Sequence, residues 1–264
     1  MTGPVEVTWP DLALAASLLL AHGLVSLWLG LGLGRRVLVA ALRSTIQLGL
    51  LGLVLVPVFS TSHPALVLGL AALMLVLAAR EATARGERRT RATLLHSLLA
   101  ITVGAGASIA LSQLVLLQVD PWWGPQYLVP MLGMILGNSL NGIGLGFERS
   151  LAGLDLGREQ VELRLARGAS WWEAARPIAR DAIRTGLVPI LNSMSVAGLV
   201  SIPGMMTGQI LGGTPPGLAA RYQILIMFLI AGAVAIGTTT GVLLTLRSCF
   251  DRAHRLRSER IERR

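Results

Sequence analysis

Residues 161–190 read VELRLARGASWWEAARPIARDAIRTGLVPI, a charged run of helical character set between two apolar segments. Gly168, Ala169 and Ser170 make a small-residue turn within it, Glu162 stands six residues before the glycine, and Pro177 and Pro189 punctuate the approach to the next apolar segment. Such a run reads as a long loop between membrane spans. What lies on either side then decides how many spans there are and which way they face.

A helix needs about 20 mostly apolar residues to cross the hydrocarbon core of a bilayer. Seven stretches meet or approach that length, at 12–34, 37–59, 65–79, 93–118, 125–147, 187–211 and 222–246. The third is short, and Ser62, His63 and Pro64 before it are polar or helix-breaking. With 53% hydrophobic residues, 14% charged and a mean hydropathy of +0.65, the chain carries more apolar surface than a soluble domain of 264 residues can bury. The expected fold is an all-α integral membrane protein. It is a polytopic bundle of about seven transmembrane helices in one domain, 1–264, with a helical cytoplasmic loop at about 148–184 and a basic tail at 247–264. Glu6 and Asp11 precede the first apolar run and no basic segment does, so that run is expected to stay as a span and not be cleaved as a signal peptide.

Basic loops are retained on the cytoplasmic side of a membrane. With the N-terminus outside, the inner segments 35–36, 80–91, 148–184 and 247–264 hold 21 of the 23 arginines. Arg221 falls outside, and Arg43 lies within a span. Asp120, Trp122, Trp123 and Tyr127 occupy an outer loop where aromatic rings suit the headgroup layer, and Trp9 begins the first span. The expected arrangement is multi-pass, with the N-terminus outside and the C-terminus cytoplasmic. The net charge of +9 follows the spans and forms no single face, which argues against nucleic acid and for the lipid bilayer as partner. Cys249 is the single cysteine, so no disulfide or cysteine metal cluster forms within one chain.

Lysine is absent, and a P-loop needs its lysine on the nucleotide phosphates, so this polypeptide does not carry the usual ATP-binding motif. Carboxylates are missing from the middle of every span, whereas proton-driven carriers relay through buried Asp, Glu or His. His22 and His96 read as packing histidines. Any energy source for active transport therefore has to come from a partner. Glycines four residues apart, at 30 and 34, 133 and 137, 142 and 146, 208 and 212, 237 and 241, read as sites of close helix packing.

Polar side chains at membrane depth face a bundle interior or a cavity. The candidate pathway residues are Arg43 and Gln47 in the second span, Asn138 and Asn141 in the fifth, and Asn192 and Ser195 in the sixth. Arg43 lies about 10 Å in from Arg36 at the helical rise. In the sixth span Pro203 and Gly204 are expected to break the helix, and broken helices line protein-enclosed cavities. Met205, Met206 and Gln209 follow the break, where thioethers and an amide oxygen suit transient contact with a metal ion. The alternative is that these methionines fill irregular space and these polar groups join helices. No set of His, Cys and carboxylate residues is grouped in any span, so no fixed metal site is expected.

The spacing from Glu162 to Gly168, with Ala169 and Ser170 after it, is similar to the loop by which ABC-transporter permeases engage their ATPase. Leu163 and Arg164 stand where that pattern carries alanines. Trp171 and Trp172 add the large apolar contact common at interface hot spots. The competing reading is an amphipathic helix on the inner leaflet. MLGMILGNSLNG from Met131, ARGASWWEA from Ala166 and SIPGMMTGQILGGTPPGLAARYQILIMF from Ser201 together resemble the FetB-type ABC permease family, bacterial iron exporters related to plant permeases linked to aluminium tolerance. The likeness runs from about 43 to 246 and is most specific over 131–228.

The resemblance implies a homodimer of this chain with two copies of a separate ABC ATPase, which holds ATP and magnesium, while this chain binds no cofactor and exports iron or another metal. Glu162, Gly168, Ala169, Ser170, Trp171 and Trp172 are then the coupling residues. Alternatives are a nucleotide-sugar permease, as in the plant branch, a channel or secondary carrier working without an ATPase, and a membrane scaffold or sensor.

Overall fold

In the computed structural model, residues 7–84 and 86–263 are described. Glu6, on which part of the N-terminal expectation rests, and Arg85 and Arg264 in the arginine tally lie outside them. Nine α-helices appear among the described residues: α1 Trp9–Trp28, α2 Gly34–Thr61, α3 Pro64–Ala84, α4 Thr93–Ala110, α5 Pro125–Leu156, α6 Arg158–Ala166, α7 Trp171–Val196, α8 Gly204–Leu211 and α9 Pro216–Ser248. A π-helical segment, Leu111–Leu116, prolongs α4. The chain is an all-helical, multi-pass membrane protein: α1, α2, α3, α4 with its π-helical end, α5 and α9 are each long and apolar enough to cross a bilayer.

The expected span 187–211 takes a different form. Its first half is the end of α7, which begins at Trp171 and runs 26 residues through Pro177 and Pro189 without breaking. Each proline removes one backbone donor, yet α7 survives because one stripe, Ala174, Ala175, Ala179, Ala182, Gly186 and Ile190, is buried against α5 and α9. The helix stops at Val196, seven residues before Pro203, where the break was expected. Gly198 there takes φ +82°, and Ala197 and Ser201 form an isolated bridge. Pro203 does not break a helix. It starts one, as the N-cap of α8, because its fixed φ suits a helix start.

Two further boundaries move. The first span ends at Trp28, and Gly30 (φ +64°) and Gly32 (φ +65°) turn the chain into α2, so Gly30 and Gly34 form no packing pair across one helix. The loop 148–184 is not a separate insertion: α5 continues to Leu156, and α6 and the first half of α7 complete it.

The packed centre is α4, α5, α7 and α9, with α3 against α4 and α5 and with α8 folded back on α9. Helices α5 and α7 touch backbone to backbone. A Cβ on Gly142 would meet the Gly186 carbonyl oxygen at 2.9 Å, and one on Gly186 would meet that of Gly142 at 2.6 Å. Helix α1 packs chiefly on α2, which reaches the bundle through α5.

A second, smaller core sits at the arginine-rich end. It joins Leu151 and Leu154 of α5, Val161 of α6, the alanines of α7, Val242 and Leu246 of α9, and Cys249 and Phe250 beyond α9. The segment after α9 closes over it and ends in strand β2, Glu262–Arg263, which pairs antiparallel with β1, Arg88–Arg89.

Candidate functional site

The turn between α6 and α7 is built by its own sequence. Gly168 takes φ +90°, a conformation that favours glycine. Ser170 then caps α7: the Glu173 amide donates to Ser170 Oγ at 3.3 Å, while the Ser170 amide and hydroxyl donate to Glu173 Oε2, each at 2.7 Å. These bonds, the Ser170 backbone amide foremost, hold the Glu173 carboxyl below the usual carboxylate range. Glu162 takes no part in the cap bonds and accepts from Arg158 Nε at 2.7 Å.

Trp171 and Trp172 divide their tasks. Trp171 is turned inward. Its ring lies 6.1 Å from Phe250, the Arg247 guanidinium stands 5.4 Å over it, and its backbone amide donates to His254 Nδ1 at 3.1 Å. Trp172 stays exposed beside it. The turn is thus anchored on one side by the tail and open on the other.

A charge network fixes the rest of this end. Glu148 Oε2 accepts from the amides of Glu87 and Arg88 at 2.9 and 3.1 Å, and its Oε1 takes Arg88 Nη1 at 2.8 Å. Asp155 Oδ2 accepts from Arg88 Nε at 2.9 Å and from Arg263 Nη2 at 2.7 Å. These carboxylates keep the Arg88 guanidinium firmly charged, with Asp155 the larger cause. Arg149 and Asp181 tie α5 to α7.

The predicted pathway residues fall into two groups. Arg43 and Gln47 of α2 line a cleft of about 750 Å³ with Arg35, Arg36, Ser44 and Glu81, and Arg43 Nη2 reaches Glu81 Oε2 at 3.5 Å. A neighbouring cavity of about 680 Å³ shares Arg43, Gln47 and Glu81 and is walled by Gly133, Leu136 and Leu140 of α5. Asn138 and Asn141 lie half-buried on α5, and Asn138 Nδ2 donates to the Met134 carbonyl at 2.8 Å within its own helix.

The second group surrounds the break. Asn192 and Ser195 are exposed near the end of α7, with Ser195 Oγ turned back to the Leu191 carbonyl at 2.9 Å. Past Pro203 and Gly204, Met205 packs on the main core, Met206 is half-buried, and Gln209 Oε1 is enclosed with no hydrogen-bond partner among the described residues. Of the predicted pathway residues only Arg43 and Gln47 line these two clefts; Asn138, Asn141, Asn192, Ser195 and residues 203–209 do not. Among the described residues no three His, Cys, Asp or Glu side chains gather as a metal-holding group.

Sequence reasoning missed several residues. Glu81 is the partner of Arg43, a contact across 38 residues that spacing does not show. Ser112 and Gln113 of the π-helical segment are buried, and their side-chain polar atoms have no hydrogen-bond partner among the described residues, as is the case for Ser139 Oγ and Thr238 Oγ1 in the centre. The Ser170-x-x-Glu173 capping box was missed although its local pattern could have shown it; the Trp171 contacts to Arg247, Phe250 and His254 carry no such signal.

This geometry can be set beside known proteins. The chain is similar to the UPF0014 membrane protein slr1647 of Synechocystis, with 37% identity over 96% of this chain and 97% of that one. It is also similar to the probable iron export permease protein FetB of Escherichia coli K12, with 32% identity over 95% of each chain. The plant protein ALUMINUM SENSITIVE 3 of Arabidopsis thaliana is 32% identical over 82% of this chain and 78% of its own. No solved structure matches at comparable significance. The model of the uncharacterised protein family UPF0014 matches residues 9–250, nearly the whole chain, and the protein belongs to that family.

Proposed function

We propose that this chain is the membrane-spanning permease subunit of an ATP-driven ABC exporter, which moves iron or another metal ion out of the cytoplasm. One observation carries the reading. Helix α7 starts at the Ser170 cap and runs unbroken for 26 residues to the interruption at 197–203, a rod of about 39 Å at the helical rise. A displacement at the α6–α7 turn is therefore delivered to the broken segment at membrane depth. Glu162, Gly168, Ala169, Ser170, Trp171 and Trp172 form the docking turn, and the partner ATPase supplies ATP and magnesium.

The arginine-rich end faces the cytoplasm of a bacterial inner membrane, as basic loops do. Two copies of the chain assemble, the apolar flank of α1 and α2 leaving room for the second. Met205, Met206 and Gln209, with the amides of Asn138, Asn141 and Asn192, offer soft and neutral donors that contact an ion without holding it. The similarity to the probable iron export permease supports metal as cargo.

A second cargo reading has its own support. Arg35, Arg36 and Arg43 face one carboxylate, Glu81, in the α2–α3 cleft, a balance that suits an anion such as a nucleotide sugar.

The test is co-expression of the full chain with ABC ATPase subunits of the source genome, measuring cellular metal under iron load. Wild type with its ATPase lowers cell iron, and Gly168→Trp abolishes both the complex and the effect. Equal iron export by the Gly168→Trp chain contradicts the reading.

A further inference from the structure

Residues 249–263 are more than a basic tail. They cover the second core, with Cys249 and Phe250 buried in it and Leu256 and Ile261 packed on it. Two of their residues fasten them to the α6–α7 turn, His254 as acceptor for the Trp171 amide and Phe250 against the Trp171 ring, and Arg247 at the end of α9 adds its guanidinium over the same ring. Their far end is fastened to the α3–α4 connection by the β1–β2 pair and by Asp155, which holds Arg88 and Arg263 together.

Between tail and turn lies a groove of about 510 Å³. Glu162, Leu165 and Gly168 line it from the turn, and His254, Arg255 and Leu256 from the tail. That volume lies in the range of sites that enclose a few side chains. Arg255 in the groove wall, and Arg167 and Arg252 next to lining residues in the chain, form no ion pair among the described residues; of the carboxylates at hand, Glu162 pairs with Arg158, and Asp251, which accepts from the Arg255 amide at 2.8 Å, pairs with Arg257. With both carboxylates paired, the rim keeps a net positive charge.

We infer that the tail supplies half of the ATPase docking surface: the partner seats in the groove between turn and tail and presents carboxylates to Arg167, Arg252 and Arg255. This rests on the reading of the α6–α7 turn as the coupling element. Two features favour an ATPase surface as occupant. The groove is continuous with the Gly168 turn, and its charge selects an acidic partner over the arginine-rich face of a second copy. Because the tail is tied to α9, to the α3–α4 connection and to Asp155 of α5, a partner bound there moves the inner ends of those elements together with α7.

The experiment uses the full chain in native membranes, co-expressed with tagged ABC ATPase subunits from the source genome. Arg255→Glu and Arg252→Glu are compared with Gly168→Trp, and maleimide labelling of Cys249, the single cysteine, reports whether the tail stays folded. The expected result is a roughly tenfold loss of ATPase affinity in each charge-reversal variant with Cys249 still protected, and recovery when a carboxylate on the ATPase is exchanged for arginine. Wild-type affinity in both charge-reversal variants, with Gly168→Trp defective, overturns the tail's role while leaving the coupling turn intact. Undiminished binding in all three, or no ATPase bound by wild type, overturns the coupling reading itself. Binding to phosphatidylglycerol vesicles in place of an ATPase, lost in Arg255→Glu, assigns the groove to lipid and overturns the proposal. If one charge reversal exposes Cys249, the other decides.

Discussion

Cys249 illustrates how one residue reports on a contact that no local pattern encodes. Burial pushes its thiol up to about 11, so at pH 8 it holds about a hundredfold less thiolate than a thiol at the ordinary 9.0. Alkylation of the intact chain is therefore slow. Trp171→Ala removes the ring beneath Arg247 and against Phe250, loosens the tail, and is expected to raise the labelling rate roughly tenfold or more, as local opening dominates access. Equal rates in a maleimide time course would show that the ring does not hold the tail. Glu173 gives a pH test. Its carboxyl lies below the ordinary range, so the cap stabilises α7 fully above the unfolded Glu value and is lost as pH falls through the lowered one. Tryptophan fluorescence between pH 7 and 3 is expected to titrate in wild type and to flatten in Glu173→Gln; unchanged titration contradicts the cap's role. At this scale the sequence reading found the Gly168-Ala169-Ser170 turn but passed over the Ser170-x-x-Glu173 box, a local pattern that could have been read. Arg43 with Glu81 could not have been, because the partner lies on another helix.

At the scale of elements, the glycine contacts separate packing from chance. A Cβ on Gly186 would fall 2.6 Å from the Gly142 carbonyl oxygen, with Thr238 equally close, whereas one on Gly106 of α4 meets nothing within 4 Å. Gly186→Ala is therefore expected to cost about 1–3 kcal/mol by overpacking, and Gly106→Ala to be neutral or slightly stabilising. Thermal unfolding in detergent checks both, and equal midpoints would deny the close α5–α7 contact. Apolar length was enough to find six of the spans, since a bilayer imposes one length on every crossing helix. It was not enough for α7. Its polar first half hides the fact that it and the apolar second half form one helix, and two prolines suggested breaks that the buried small-residue stripe overrides. The interruption was legible as Pro203–Gly204, yet Gly198 with its positive φ makes it, since a proline at a helix start is compatible with the helix it begins.

For the whole molecule, residues 88–89, the arginine-bearing inner parts of α5 and α7 and the segment after α9 meet at the second core, a meeting that the sequence expressed only as spacing between spans. The tail's place in the second core was invisible, because it depends on pairing between residues 88–89 and 262–263 across the length of the chain. The pathway prediction also belongs here. Met205→Ala with Met206→Ala is expected to lower metal export several-fold at unchanged folded protein, because soft donors leave the break while only one of the two methionines packs on the core. Full export by that double variant, measured as cellular metal content, would reduce both residues to packing. The central claim is that this chain forms a gated passage whose driving force reaches the 197–203 interruption through α7. Its most direct test is metal flux in proteoliposomes holding the chain alone, or the chain with its ATPase, with and without ATP. The account predicts flux only when ATPase and ATP are both present, and its loss in Gly168→Trp; steady flux through the chain alone would contradict it.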